Sequence, residues 1–253
     1  MTVKELYEKF EAHFPKALSA EWDNDGLMCT PDSSAPVRRV LFTLDVTEDA
    51  VSYATENGYD VILSHHPLIF RPLSALDGED AVTRKCIDLF KGGISVFSFH
   101  TRADAKAGSI NDILAGLFLL SDPAPFSADA IGRVGTLPAP MALADFATAV
   151  KEKLGAPHLL YGDAHRPVSR VAVVGGGGKD AIADAIASGA DTLLTGELGY
   201  HALMEAEGLG INLVEAGHFF TEAPILSHFA KLLRDFLPSA EYGFYNCYRI
   251  VSI

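Results

Sequence analysis

Positive charge and sulfur are both scarce in this chain. Lys and Arg together number 20 against 33 Asp and Glu, a formal net charge of -13 over 253 residues. Polynucleotide phosphates are held by clustered Lys and Arg, so nucleic acid is not an expected partner, and anionic lipid is excluded on the same ground. The three cysteines, Cys29, Cys86 and Cys247, are scattered and lack the two-residue spacing of a zinc or redox motif. They are expected as buried apolar residues or free thiols in a reducing compartment. No apolar run approaches membrane-spanning length, and the segment from Met1 lacks a basic patch followed by an apolar signal stretch. The expectation is a cytoplasmic protein with no membrane partner. With 49% hydrophobic residues and a mean hydropathy of +0.18, the chain is apolar for a soluble monomer, which points to subunit interfaces.

Periodicity predicts an α/β fold. Thr2 and Glu5 stand at capping-box spacing before Val3, Leu6, Tyr7, Phe10 and Phe14, the pattern of an amphipathic helix. Strands over 40–44, 61–63 and 94–99 then alternate with helices over 47–57, 80–90 and from about 109, an order that implies a mostly parallel sheet covered by helices. Residues 120–131 turn to Ser, Asp, Pro and Ala and are expected to cross between domains. A second α/β unit follows, with strands over 134–137, 170–174, 192–194 and 212–214, helices over 143–154, 181–187 and 224–236, and a last strand over 242–253. The domains expected are 1–125 with 215–253, and 126–214.

Three strand ends carry the chemistry. The strand over 61–63 is followed by Ser64, His65, His66 and Pro67, and the proline forces an extended exit. The strand over 94–99 ends in His100, Thr101, Arg102, Ala103 and Asp104. Taken alone, Asp104 is a cap or turn residue and His100 a polar edge residue. The strand over 212–214 leads to Gly217, His218 and Glu222, and a helix starting near Gly217 puts the last two one turn apart on one face. Ligands collect at the carboxyl ends of strands in open α/β sheets. Imidazoles and carboxylates without thiolates suit Zn, Fe, Mn, Ni or Co, and five such side chains suit two ions rather than one. Two ions can ionise water near neutral pH and polarise the oxygen under attack.

Other features are weaker. Gly175 to Gly178 lack the third glycine of a dinucleotide fingerprint and are expected as a tight turn rather than a phosphate cradle. Glu197 and His201 follow the strand over 192–194, and His201 is a candidate for orienting a ligand or touching substrate against the alternative of an ordinary surface helix residue. Trp22 to Gly26 read as a turn anchored by a buried indole. His13, His158, His165 and His228 are expected to be structural.

With these motifs in hand, the sequence resembles the Nif-three-like dinuclear-metal family, whose members are often named GTP cyclohydrolase I type 2 homologues. The likeness spans nearly the whole chain and rests on Trp22-Asp23-Asn24 with Gly26-Leu27, Ser64-His65-His66-Pro67, His100-Thr101 with Asp104, Thr195-Gly196 with His201, and Gly217-His218 with Glu222. It implies that His65, His66, Asp104, His218 and Glu222 hold two divalent ions, with Glu222 bridging, and leaves His100, Glu197 and His201 as supporting candidates. It further implies two α/β domains around a central cleft in ring-shaped homohexamers. The family usually has Asn in place of Arg102 and Asp in place of Glu197, and many relatives carry an inserted domain for which the 122–130 crossing leaves no room. The expected function is metal-dependent hydrolysis of a small molecule, GTP or another nucleotide first, with Arg102 or Lys179 lining the cleft if the substrate is anionic. The alternative is a non-catalytic metal carrier or regulatory scaffold.

Overall fold

In the computed structural model, which describes residues 1–251, the chain runs through α1 (Val3–His13), β1 (Gly26–Cys29), β2 (Arg39–Thr43), α2 (Glu48–Glu56), β3 (Val61–Ser64), α3 (Ala81–Gly92), β4 (Ser95–Ser98) and α4 (Thr101–Ala105). It continues through α5 (Ile110–Leu117), β5 (Ser121–Ala124), β6 (Arg133–Met141), α6 (Leu143–Leu154), β7 (Leu160–Gly162), β8 (Val168–Gly177) and α7 (Ile182–Ala187). The last elements are β9 (Thr192–Glu197), α8 (Tyr200–Leu209), β10 (Asn212–Glu215), α9 (His218–Glu222), α10 (Pro224–Phe236) and β11 (Glu241–Phe244). The final strand expected over 242–253 is therefore confined to its beginning, and Ser252 and Ile253 lie outside the described residues. Among the described residues no helix is long and apolar enough to cross a membrane.

The chain packs as two compact units, one of residues 1–103 with 225–249, the other of 104–224 with the tail from Ile250. This differs from the division expected at 125 and 214. The 120–131 segment is no crossing, because Ser121 and Ala124 of β5 pair with Thr136 and Val134 of β6. A proline is tolerated there since β5 is an edge strand, where a missing N–H donor breaks no ladder.

The first unit holds a five-stranded sheet in the order β1-β4-β3-β2-β11, parallel except for the antiparallel edge strand β1. Strands β3 and β4 are buried along their whole length, as expected of a parallel sheet covered on both faces. Alternation sends Leu41, Ile62 and Val96 to one side, against Val51, Ala54, Cys86 and Leu89 of α2 and α3. On the other side Phe97 and Phe99 meet Tyr7, Phe10 and Phe14 from the start of the chain and Phe229 of α10. The capping box predicted at Thr2 and Glu5 is present. All three cysteines are buried free thiols, and burial pushes the Cys29 thiol up to about 12, where it is no nucleophile.

The second unit holds a six-stranded sheet in the order β5-β6-β8-β9-β10-β7, with β8, β9 and β10 parallel. One face packs Ala172, Val174, Leu193 and Leu213 against Ala185 of α7 and Ala202 and Ala206 of α8. Helices α5 and α9 pack on β8.

Candidate metal centre

Register places the first cluster. Thr43 pairs with Ser64 and Ser64 with Ser98, so β2, β3 and β4 end level. The Ser64 and Ser98 hydroxyls bond each other at 2.8 Å. Residues 65–66 and 99–100 therefore leave the sheet at the same edge. Nitrogens of His65, His66 and His100 lie within 4.8 Å of one another, and the three ring centroids are 5.1–5.5 Å apart.

Each of these rings is oriented by an oxygen at Nδ1. His65, fully buried, donates to the Phe99 carbonyl at 2.9 Å. His66 donates to Asp45 Oδ1 at 2.8 Å, and His100 to Asp23 Oδ1 at 3.0 Å. A carbonyl or carboxylate only accepts, so the proton of each neutral ring sits on Nδ1 and Nε2 carries the lone pair, the usual support for a metal-binding histidine. The residues thus fit a transition-metal ion by donor chemistry.

Asp23 is the anchor of His100. It also accepts from the Thr101 amide at 3.1 Å and the Thr101 hydroxyl at 2.5 Å. Burial pushes its carboxyl up, but the bonds from His100 and Thr101 outweigh it and hold Asp23 down at about 2. Two residues on, buried Asp25 accepts from the His100 amide at 3.1 Å and from Arg102 Nε at 3.0 Å. Burial raises the Asp25 carboxyl as well, and Arg102, Ser19 and Lys16 overcome it, leaving it below the ordinary carboxylate range.

Two expectations are corrected here. Arg102 lines no cleft: it is 1% exposed, bonded to Asp25, to Glu11 at 2.7 Å and to the Phe14 carbonyl at 2.9 Å. Three acceptors inside the fold claim the guanidinium, so it ties α1 to the loop before β1. The indole of Trp22 is not buried either. It is 65% exposed, because the buried anchors of its turn are the carboxylates of Asp23 and Asp25.

The second unit supplies the other predicted residues. Val174 pairs with Thr195 and Thr195 with Glu215, so β10 stops two residues short of the end of β9, while β8 and β9 run on together to Gly177 and Glu197. Gly217, with φ of 86°, caps α9, which puts His218 and Glu222 on one face with Nε2 and Oε2 3.0 Å apart. Glu222 is buried and His218 half-buried. Glu197 Oε1 lies 3.5 Å from His218 Nδ1. Asp104 is buried, and its carbonyl accepts from Asn111, whose own oxygen accepts from the Gly175 amide at 2.9 Å. His201 is exposed on α8 with its ring against Tyr200, and among the described residues no hydrogen bond or ion pair ties it to this cluster.

The glycine run is neither turn nor phosphate cradle. Residues through Gly177 extend β8, with a bulge after Val174. Gly176, at φ of 70°, gives room to α9: a Cβ there would overlap Glu222 Oε1 and approach His218 Nε2 to 3.1 Å. Its amide donates to Thr221 Oγ1 at 3.1 Å. Gly196 serves the same helix, since its Cβ would sit 2.7 Å from the Cα of His218. His100 was legible only as a supporting residue. The signal for more was its position two residues past the end of β4, level with the exit of His65 and His66 from β3.

Similarity to known proteins agrees with this architecture. The family profile described as Duf34/NIF3 (NGG1p interacting factor 3) matches residues 1–248. A GTP cyclohydrolase 1 type 2 homolog from Clostridium perfringens is 33% identical over 246 residues, covering 94% of this chain and 94% of that protein. One from Methanocaldococcus jannaschii is 29% identical over 235 residues, covering 92% and 95%. A solved Bacillus cereus protein related to NIF3 shares the fold with a TM-score of 0.91 at 23% identity, over 100% of this chain and 99% of that one. Reduced HcgD from Methanocaldococcus jannaschii gives 0.85 at 28% identity, over 96% and 97%.

Proposed function

The chain belongs to the Duf34/NIF3 family, and on that premise we propose that it is a dinuclear-metal hydrolase acting on nucleotide-like small molecules. In this reading His65, His66, Asp104, His218 and Glu222 would hold the two ions, Glu222 contributing charge to both. The observation that carries it is the uniform support of the imidazoles in the first unit, where an oxygen holds each Nδ1 and leaves Nε2 as the donor atom. When bound, the ions supply positive charge that acidifies water and polarises the oxygen of the group under attack.

The chain's own residues do the rest. Asp45 and Glu197 orient the imidazoles of His66 and His218. Carboxylates of Asp104 and Glu222 offset the cationic charge. His100, with Nδ1 held by ionised Asp23, presents Nε2 to take up or return a proton during water attack. The names of the relatives support GTP ring opening as the first reaction to test, with phosphoester hydrolysis second because two-metal centres serve both.

Reconstitution with Mn, Zn or Fe should give about two ions per chain by elemental analysis, and His65→Ala should lower hydrolysis about a hundredfold or more. Formate release from GTP and turnover of activated phosphoesters are the readouts. Metal-saturated protein that turns over neither, yet passes its ions to an apo-acceptor, would be a carrier. Assembly belongs to the same proposal: light scattering should give a multiple of 27.1 kDa, a hexamer being expected.

A further inference from the structure

Beside the histidine cluster stands a large aromatic side chain that the metal chemistry does not use. Trp22 is the only tryptophan of the chain, and 65% of it is exposed. Phe70, 46% exposed, meets it edgewise with ring centroids 6.1 Å apart at 64°. The His100 imidazole meets it at 6.1 Å and 75°. Neither neighbour lies flat on the indole.

The segments that carry the two rings are also held in place. Asp23 and Asp25 are buried on either side of Asn24, and the Asp23 amide donates to the Ala20 carbonyl at 3.0 Å. The Ala20 amide donates to Thr101 Oγ1 at 3.0 Å. Asn24 Nδ2 donates to the Ile69 carbonyl, linking the Trp22 loop to the segment that carries Phe70. Exposing an indole to water wastes its hydrophobic area, and fixing it there through buried carboxylates spends more. A preorganised pair of rings next to a polar cluster is the usual construction of a small-molecule subsite.

We propose that Trp22 and Phe70 form a stacking subsite for a planar heteroaromatic ring, a purine being the available example, held within reach of His100. The electron-rich indole face favours such rings over saturated ones. The negative charge of the chain favours a neutral ring as the part recognised here. This deepens the hydrolase reading and rests on it only for the role of His100, because ring stacking does not require the ions.

The single tryptophan makes the test direct. Metal-stripped protein is titrated with guanosine, adenosine and, as control, ribose, following Trp22 emission. Saturable quenching by the nucleosides and none by ribose is expected. By equilibrium dialysis of guanosine, Phe70→Ala should weaken binding about tenfold, Trp22→Ala should weaken it by at least as much, and Trp22→Phe should largely retain it. Circular dichroism checks that each variant folds. Quenching that only rises linearly with nucleoside, or a Trp22→Ala variant that binds guanosine as tightly as the parent, overturns the proposal. So does emission that acrylamide cannot quench in the assembled protein, for then another copy covers the indole. Metal uptake, measured separately, keeps the two readings apart: full loading without nucleoside binding defeats the subsite alone, and nucleoside binding without loading defeats the dinuclear centre alone.

Discussion

The two units hold their share of the predicted site residues by different physical means. In the first, hydrogen bonds to charged groups set the geometry: Asp45 and Asp23 fix the rings of His66 and His100, and Asp25 with buried Arg102 fixes the backbone that carries His100. In the second, missing side chains set it. Gly176 and Gly196 let α9 settle against β8 and β9, so that Glu222 and His218 reach positions a Cβ would occupy. A geometry held by ionised partners responds to charge and pH, whereas one held by close packing responds to volume.

The largest expected effect tests the charged scaffold. Arg102→Leu removes the buried cation beside Asp25, leaving the carboxylate only the half-exposed Lys16, and should cost about 3–5 kcal/mol in denaturant unfolding. A variant as stable as the parent would show that the ion pair organises nothing. Gly176→Ala probes the other unit. It combines a left-handed backbone with overlap at Glu222 and should cost about 3 kcal/mol, along with metal affinity. Should Gly176→Ala bind metal normally, α9 would not depend on the close approach.

Acid separates the mechanisms further. A carboxyl with a depressed pKa contributes stability that is complete above its ordinary value and is lost as pH falls through the folded value. For Asp23 that window runs from about 3.8 down to about 2, and the contribution is about 2 kcal/mol. Trp22 emission should therefore change between pH 5 and 2, and Asp23→Asn should flatten that change. An unchanged profile in the variant would remove Asp23 as its cause. The smallest effects concern single orienting carboxylates. Asp45→Ala should weaken metal binding about 10–100-fold, and Glu197→Ala less, since its oxygen is 3.5 Å from His218 and well exposed. The reverse ranking in a metal-competition assay would invert the comparison.

Much of the candidate site was legible because strand ends are legible. His65 and His66 follow a run of buried apolar residues, and the one-turn spacing of His218 and Glu222 is a property of any helix. Local signals also mislead where polar atoms find distant partners. Arg102 looks like a surface cation until Asp25, Glu11 and the Phe14 carbonyl surround it. Pro123 looks like a linker residue until β5 pairs at a sheet edge, and the short β7, with Leu160 to Gly162 beside β10, carries no periodic signal at all.

What the sequence by itself determined is the class of fold, the family, and which residues leave strand ends with metal-binding chemistry, since all three follow from spacing and residue type along the chain. Only the tertiary structure decided that His100 joins His65 and His66, that Arg102 is interior while Trp22 faces solvent, and that the glycines after Val174 seat a helix. Those outcomes depend on the register between strands and on which acceptor lies close enough to satisfy a buried donor. Both quantities arise between residues far apart in the chain, where no local pattern records them.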